Sequence, residues 1–332
     1  MKAVVIGASG HIGNAVTRAL LDEGHEVTAC GRRLIPPANL DGLPVRYQRG
    51  DADIPGQFEK WIDGHDLVVD AAAPYSIYLF PDGGRAQLDP MAHAEKRTRM
   101  LLEAVARRDV PLVYVSSFST RVRPRTSFEQ WHLEIMKIVH PYLHTKELVE
   151  SLIRDRCRRG LRAVIVNPTM CLGPWDVRER EMCLIPQLLN GRMPATSTQM
   201  LNVIDVRDVA ASIISALRKE IYGAPITLTG PSLRAEQLFS RVCELGGVRS
   251  PRIPGSATLA LPASFWWELG FGMAGRKAPL PTLAMIFATM IEWLVPDEMQ
   301  NRLDVPVTPL DETIMHSIEW YRSIGYCETK ER

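Results

Sequence analysis

Apolar runs of four or five residues recur along the first half of the chain. Between them, apolar positions fall three and four residues apart. Ala3-Val4-Val5-Ile6 is the first run, and a helical pattern through Val16, Leu20 and Leu21 follows it. Further strands are expected at residues 26–30, 45–48, 66–70, 111–115 and 162–166. Helices are expected at 91–107 and 145–158. Short buried strands separated by helix-length segments predict a parallel α/β sheet, doubly wound, with helices on both faces. Beyond residue 167 the regularity fails. Pro174, Pro186, Pro194 and a proline-rich stretch at 251–281 predict a smaller C-terminal lobe of helices and loops. Strands at 201–206 and 225–229 are candidates to return to the main sheet. The pattern divides the chain into an α/β unit at 1–170, with 199–220 returning to it, and a second, smaller lobe at 171–198 and 221–330.

The first strand ends in Gly7-Ala8-Ser9-Gly10-His11-Ile12-Gly13, directly before the first helix. Strand, glycine turn, helix is the setting of a Rossmann-type dinucleotide site. The first glycine permits the tight turn. The second lets backbone approach a pyrophosphate, and the third lets the helix pack closely, its N-terminal amides facing the phosphates. At the end of the second strand, Cys30 is followed by Gly31-Arg32-Arg33 with no acid nearby. A carboxylate there would accept from an adenosine ribose and repel a 2′-phosphate, whereas guanidinium groups grip one. NADP(H) is therefore expected in preference to NAD(H), with Arg32 the chief contact and Arg33 assisting.

The 39 basic and 38 acidic side chains give no basic excess for nucleic acid. Six cysteines are scattered without C-x-x-C pairs, so free thiols are expected rather than a disulfide frame, and no metal site. Met1 leads straight into a strand, without the apolar core and cleavage site of a leader. A cytoplasmic protein is expected. Residues 278–295 are almost wholly apolar, but Glu292 and the prolines at 279 and 281 argue for a buried or lid helix. They argue against a spanning helix and against peripheral membrane contact. Residues 251–296 are expected to cover a substrate site with apolar side chains, and Trp266, Trp267 and Trp293 are expected in the core.

Three further motifs fall where the glycine turn predicts them. Tyr142 and Lys146 form a Y-x-x-x-K one helical turn apart. The fifth strand ends in Ser116-Ser117-Phe118-Ser119, at the carboxyl edge where such sheets bind ligands. Asn167-Pro168 and Gly173-Pro174 follow the sixth. Together with Gly50-Asp51, Ala71-Ala72-Ala73 and residues 205–210, these motifs resemble the extended short-chain dehydrogenase/reductases, the NAD(P)-dependent epimerase/dehydratase family. The resemblance covers nearly the whole chain. Ile318-Glu319-Trp320-Tyr321 and Gly325-Tyr326 are similar to the terminal helix of the dihydroflavonol-4-reductase-like branch.

The resemblance implies roles. Tyr142 is the proton donor or acceptor, its phenol lowered by the Lys146 ammonium and a positive nicotinamide. Lys146 also holds the nicotinamide ribose. Ser117 positions the substrate oxygen, with Ser116 and Ser119 as competitors. Gly7, Ser9, Gly10, His11, Ile12 and Gly13 face the pyrophosphate. Asp51 reaches the adenine with Ala52 beside it, and Ala71, Ala72 and Ala73 line the cofactor. Asn167 and Pro168 pack near the nicotinamide. Asp70 stands where the family often has histidine, and Tyr75 is a candidate near the substrate. His140 and His144 are read as local context. The expected partner is a small, fairly apolar carbonyl or alcohol, and homodimers are usual in the family. Two other readings stay open. One is an NAD-dependent nucleotide-sugar epimerase or dehydratase, with Arg178, Arg180, Arg192 and Asn202 as diphosphate contacts. The other is a non-catalytic NADP-binding regulator.

Overall fold

The computed structural model describes residues 1–332 except 73–77, 80–88, 194, 252–253, 256, 279–280, 295–296 and 328–332. The first half runs β1 (Lys2–Ile6), α1 (His11–Asp22), β2 (Glu26–Gly31), β3 (Val45–Arg49), α2 (Gln57–Ile62), β4 (Leu67–Asp70), α3 (Pro90–Arg108), β5 (Leu112–Val115), α4 (Ser127–Val139), α5 (Pro141–Cys157) and β6 (Ala163–Pro168). The second half runs β7 (Met170–Leu172), α6 (Leu184–Leu189), β8 (Thr196–Ser197), β9 (Met200–Asp205), α7 (Val206–Arg218), β10 (Pro225–Leu228), β11 (Ser232–Arg234), α8 (Ala235–Gly246), β12 (Pro254–Gly255), α9 (Ala257–Met273), α10 (Thr282–Met290), α11 (Glu298–Asn301) and α12 (Leu310–Ser323).

Seven strands form one parallel sheet in the order β10-β6-β5-β4-β1-β2-β3. Chain direction in strand order reverses between β1 and β4, which opens the ligand crevice at their carboxyl ends. The two-residue period of β1 feeds both faces. Ala3 and Val5 pack with Val16 and Leu20 of α1 and with Val209 and Ile213 of α7. Val4 and Ile6 pack with Phe58 and Trp61 of α2, Leu101 and Val105 of α3, and Val149 and Ile153 of α5. This is the expected doubly wound Rossmann-type α/β fold.

Several elements depart from the sequence pattern. The strand expected at 201–206 does not join the main sheet. It is β9, paired with β7 and β11, because Asn202 is held there by Thr169, Gly230 and Ser232. The helix after it, α7, does pack on α1. The other candidate, 225–229, does return: it is β10, which extends the main sheet beside β6. Its fully buried Ile226-Thr227-Leu228 run fits an interior strand. The catalytic-motif helix starts at Pro141, four residues earlier than expected, because His140 caps it: its Nδ1 accepts from the Tyr142 amide at 3.3 Å. The apolar stretch near 278–295 contains the nine-residue α10, and among the described residues no helix is long and apolar enough to cross a membrane. Trp293 is buried, but Trp266 and Trp267 are not core residues: they are 68% and 56% exposed on α9. The inward face of α9 is occupied instead by Ser264 and Glu268.

Candidate active site

The glycine turn is shaped by contacts that exclude side chains. Gly7 adopts φ +83°, and a Cβ there would stand 2.9 Å from the backbone of Ala71 and Ala72. A Cβ on Gly13 would meet the Gly7 carbonyl oxygen at 2.2 Å, so helix and turn pack backbone to backbone. Gly10 is the N-cap of α1 and supplies no side-chain acceptor, so the first-turn amides face the crevice uncapped. Beside them, the Nε2 of buried His11 has no partner among the described residues, and burial pushes its pKa below the ordinary histidine value. An anionic group with acceptor oxygens suits this cradle.

The turn is braced by residues the sequence reading missed. Asn39 donates to the carbonyls of Ser9 and Trp175, both at 3.0 Å. Trp175 has φ +72°, and Arg18 stacks over its ring at 4.6 Å. The Gly173-Pro174 motif reaches the same place, with the Pro174 backbone hydrogen-bonded to His11. Ile12 packs into the core below. Asn39 sits in an unremarkable Pro-Ala-Asn-Leu stretch, and only its partners reveal its use.

At the carboxyl ends of β2 and β3, Arg32, Arg33 and Arg49 are exposed together. Arg49 donates to the Arg32 carbonyl at 3.3 Å, and Tyr47 donates to that of Arg33 at 2.9 Å. Gly31 leaves less space than its identity suggests, because a Cβ there would meet the Tyr47 hydroxyl at 3.0 Å. Asp51 accepts from the Asp53 amide at 3.1 Å, and Ala52 packs against the core. Ala71 and Ala72 border Gly7. Ala73 and Tyr75 lie outside the described residues.

Ser117, Tyr142 and Lys146 come together at the ends of β5 and α5. The Tyr142 hydroxyl and the Ser117 side chain are hydrogen-bonded. Ser119 donates to Ser117 Oγ from its amide (3.2 Å) and its hydroxyl (3.1 Å). Ser116 points elsewhere, donating to Glu150 at 2.6 Å. Ser117, the serine that the family resemblance favours among the three, is the one bonded to Tyr142. Lys146 Nζ donates to the carbonyls of Val115 (3.0 Å) and Ser116 (3.4 Å) and lies 5.9 Å from the Tyr142 ring centroid. The expected lowering of the phenol is absent in the chain by itself. Burial pushes Tyr142 up to about 12, opposed by the Ser117 hydrogen bond. Burial also lowers Lys146 to about 8, against the pull of Asp70 and Glu150.

Below the triad lies a second unforeseen group. A single oxygen of buried Glu150, Oε2, accepts from Ser116 Oγ (2.6 Å), Thr120 Oγ1 (2.7 Å) and Asn167 Nδ2 (2.7 Å). Asn167 also donates to the Ser117 carbonyl at 3.0 Å, which fixes the backbone of that serine. Pro168 follows it, buried at the end of β6. Above the triad the wall is apolar. The Phe287 ring of α10 meets Tyr142 at 5.6 Å and Phe118 at 5.1 Å, both edge-on. Leu283, Ile286, Met290 and Trp293 continue this cluster.

Lys146 makes a test in pH. An unfolded lysine titrates near 10.5, and Lys146 in the fold near 8. Between those values the unfolded chain binds the extra proton, so this group makes stability rise with pH there. The stability of wild type relative to Lys146→Met should therefore increase from about pH 8 to about pH 10 in urea unfolding. Parallel curves across that window would refute the depressed lysine.

With this geometry in place, the comparisons with known proteins are specific. Residues 3–225 match the NAD dependent epimerase/dehydratase family, and the chain belongs to it. It is an NAD(P)-dependent enzyme of the extended short-chain dehydrogenase/reductase type. The Sterol demethylase protein B of Methylococcus capsulatus is 33% identical, covering 84% of this chain and 82% of that protein. A Synechocystis sp. protein provisionally named dihydroflavonol 4-reductase is 24% identical over 98% of this chain and 96% of its own. The solved structure of a nucleoside-diphosphate-sugar epimerase from Pseudomonas aeruginosa shares the fold, with a TM-score of 0.74, 24% identity and 99% of each chain covered.

Proposed function

We propose that the protein is an NADPH-dependent oxidoreductase that moves hydride between the nicotinamide and a carbonyl/alcohol pair in a fairly apolar small molecule. The observation that carries this reading is the hydrogen-bonded Ser117–Tyr142 pair lying under the Phe118–Phe287 wall. The glycine turn with Ser9, His11 and Ile12 would hold the pyrophosphate, Asp51 and Ala52 the adenine, and Ala71 and Ala72 the intervening edge. Lys146 would take the nicotinamide ribose, with Asn167 and Pro168 nearby. When bound, the cofactor supplies or accepts the hydride. Ser117 would position the substrate oxygen, and Tyr142 would give it a proton. The neutral phenol held by burial is already in the protonated form that carbonyl reduction needs.

The names of the two relatives, a sterol demethylase protein and a dihydroflavonol reductase, agree with a ring-bearing apolar substrate. Two of the side chains weighed as sugar-diphosphate contacts are engaged elsewhere. Arg178 grips buried Asp176 with Nε and Nη2, and Asn202 is committed to Thr169, Gly230 and Ser232. Steady-state kinetics with apolar ketones and alcohols against nucleotide sugars test the substrate class. Turnover of a nucleotide sugar alone would overturn it.

Cofactor preference has its own test. Arg32, Arg33 and Arg49 would surround a 2′-phosphate, and a charge-assisted contact of this kind is worth about a tenfold to hundredfold in affinity. Arg32→Ala should lose that much NADPH efficiency and little with NADH. Equal efficiency of wild type with both cofactors would sink the preference.

A further inference from the structure

The outer surface of α9 is built inside out. Over residues 261–273 of α9, the polar side chains Ser264 and Glu268 face inward, 8% and 2% exposed. Glu268 is spent there, accepting from the Leu79 amide at 2.6 Å and the Thr282 amide at 2.8 Å. The outward positions are Pro262, Ala263, Trp266, Trp267, Gly270 and Met273, and none of them carries a charge. They follow one another at three- and four-residue steps, so the stripe is continuous. A helix that buries its carboxylate and presents tryptophan to the outside reverses the ordinary arrangement.

A second stripe repeats the pattern. On α4, Phe128, Trp131, Ile135 and Ile138 are exposed by 69%, 59%, 41% and 74% and share one face. The acidic groups of that helix are occupied, Glu129 by the Arg125 and Thr126 amides and Glu134 by Lys137. The inner faces of both helices pack on α10, through Leu133 and Met136 from α4 and Leu261 from α9. The same α10 places Phe287 on Tyr142. Cations flank both stripes. Arg123 and Arg125 are exposed just before α4, and Arg276 and Lys277 just after α9, with Lys277 also reaching Glu179 at 2.5 Å.

We propose that the α4–α9 surface docks on the face of an anionic phospholipid bilayer, so that the apolar substrate reaches the Tyr142 site from the lipid. Tryptophan, phenylalanine and isoleucine seat in the boundary between headgroups and acyl chains, while flanking arginines meet lipid phosphates. Charge selects this occupant over a second copy of the chain. Another molecule would bring the same positive flanks, whereas an anionic headgroup layer complements them. This reverses the expectation from sequence, which weighed only the 278–295 stretch and took Trp266 and Trp267 for core. The route for substrate rests on the function proposed above, but vesicle binding is read without turnover, so the two readings fail separately.

The test is flotation of the full chain with vesicles of phosphatidylcholine containing about 30% phosphatidylglycerol, beside vesicles of phosphatidylcholine alone. Wild type should float with the anionic vesicles and leave them as salt is raised. Trp266→Ser/Trp267→Ser and Phe128→Ser/Trp131→Ser should each lower partitioning about tenfold or more, and Arg276→Glu/Lys277→Glu should abolish the preference for anionic lipid. Thermal melts check that these surface substitutions leave the fold intact. The proposal is overturned if wild type ignores both vesicle types, if it binds neutral vesicles equally well, or if the tryptophan variant binds like wild type. It is also overturned if that variant instead converts a dimer to a monomer in light scattering.

Discussion

Tyr142→Phe is expected to lower turnover by about a hundredfold to ten-thousandfold while NADPH affinity stays within about twofold. The substitution deletes one oxygen. The ring keeps its edge-on contact with Phe287 at 5.6 Å, so the apolar wall over the site is preserved. Ser117 keeps both donors from Ser119, so its hydroxyl stays in place. What disappears is the only transferable proton that the Ser117–Tyr142 pair offers from a phenol. Lys146 still holds the carbonyls of Val115 and Ser116, which is why cofactor binding should survive. Pre-steady-state hydride transfer and fluorescence titration of NADPH separate the two effects. Turnover at the wild-type level would place the proton donor elsewhere, and a parallel loss of NADPH binding would make Tyr142 a structural residue.

The sheet was legible because its strands are short apolar runs between helical periods, and buried parallel strands demand that composition. The closeness of Tyr142 and Lys146 was legible because both lie on one helix, four residues apart. Glu150, one turn further along, carries no such signal. Its partners Ser116, Thr120 and Asn167 arrive from separate segments, and only the packed sheet brings three donors to one oxygen. Arg49 was missed for the same reason, since β3 must lie beside β2 before it joins Arg32. Trp266 and Trp267 failed differently. Hydrophobicity alone predicts burial, and only the inward turn of Glu268 shows which side of α9 is which. The helix α4 was passed over because its apolar positions serve two faces at once, one inward at Leu133 and Met136 and one outward at Trp131 and Ile138.

Arg97→Met should cost about 3–5 kcal/mol of folding stability, the largest stability loss expected from any single change near the site. Asp70 ends β4 where the family often has histidine, and its carboxylate is buried. Arg97 of α3 meets it with two parallel hydrogen bonds, both 2.8 Å, and stacks over Phe58 at 5.4 Å. Removing the guanidinium leaves a buried carboxylate without those two hydrogen-bond donors. Replacing both partners should recover most of the loss, because Asp70→Leu with Arg97→Met removes both charges of the pair together. Function should not recover with it. Asp70 also accepts from the Ala72 amide at 3.3 Å, and Ala71 and Ala72 are the backbone against which Gly7 turns. The double variant should therefore fold nearly as well as wild type and bind NADPH more weakly. Urea unfolding and NADPH titration on the same preparations decide it. A single variant within about 1 kcal/mol of wild type would show that the pair is dispensable, and a double variant with wild-type affinity would detach Asp70 from the cofactor cradle.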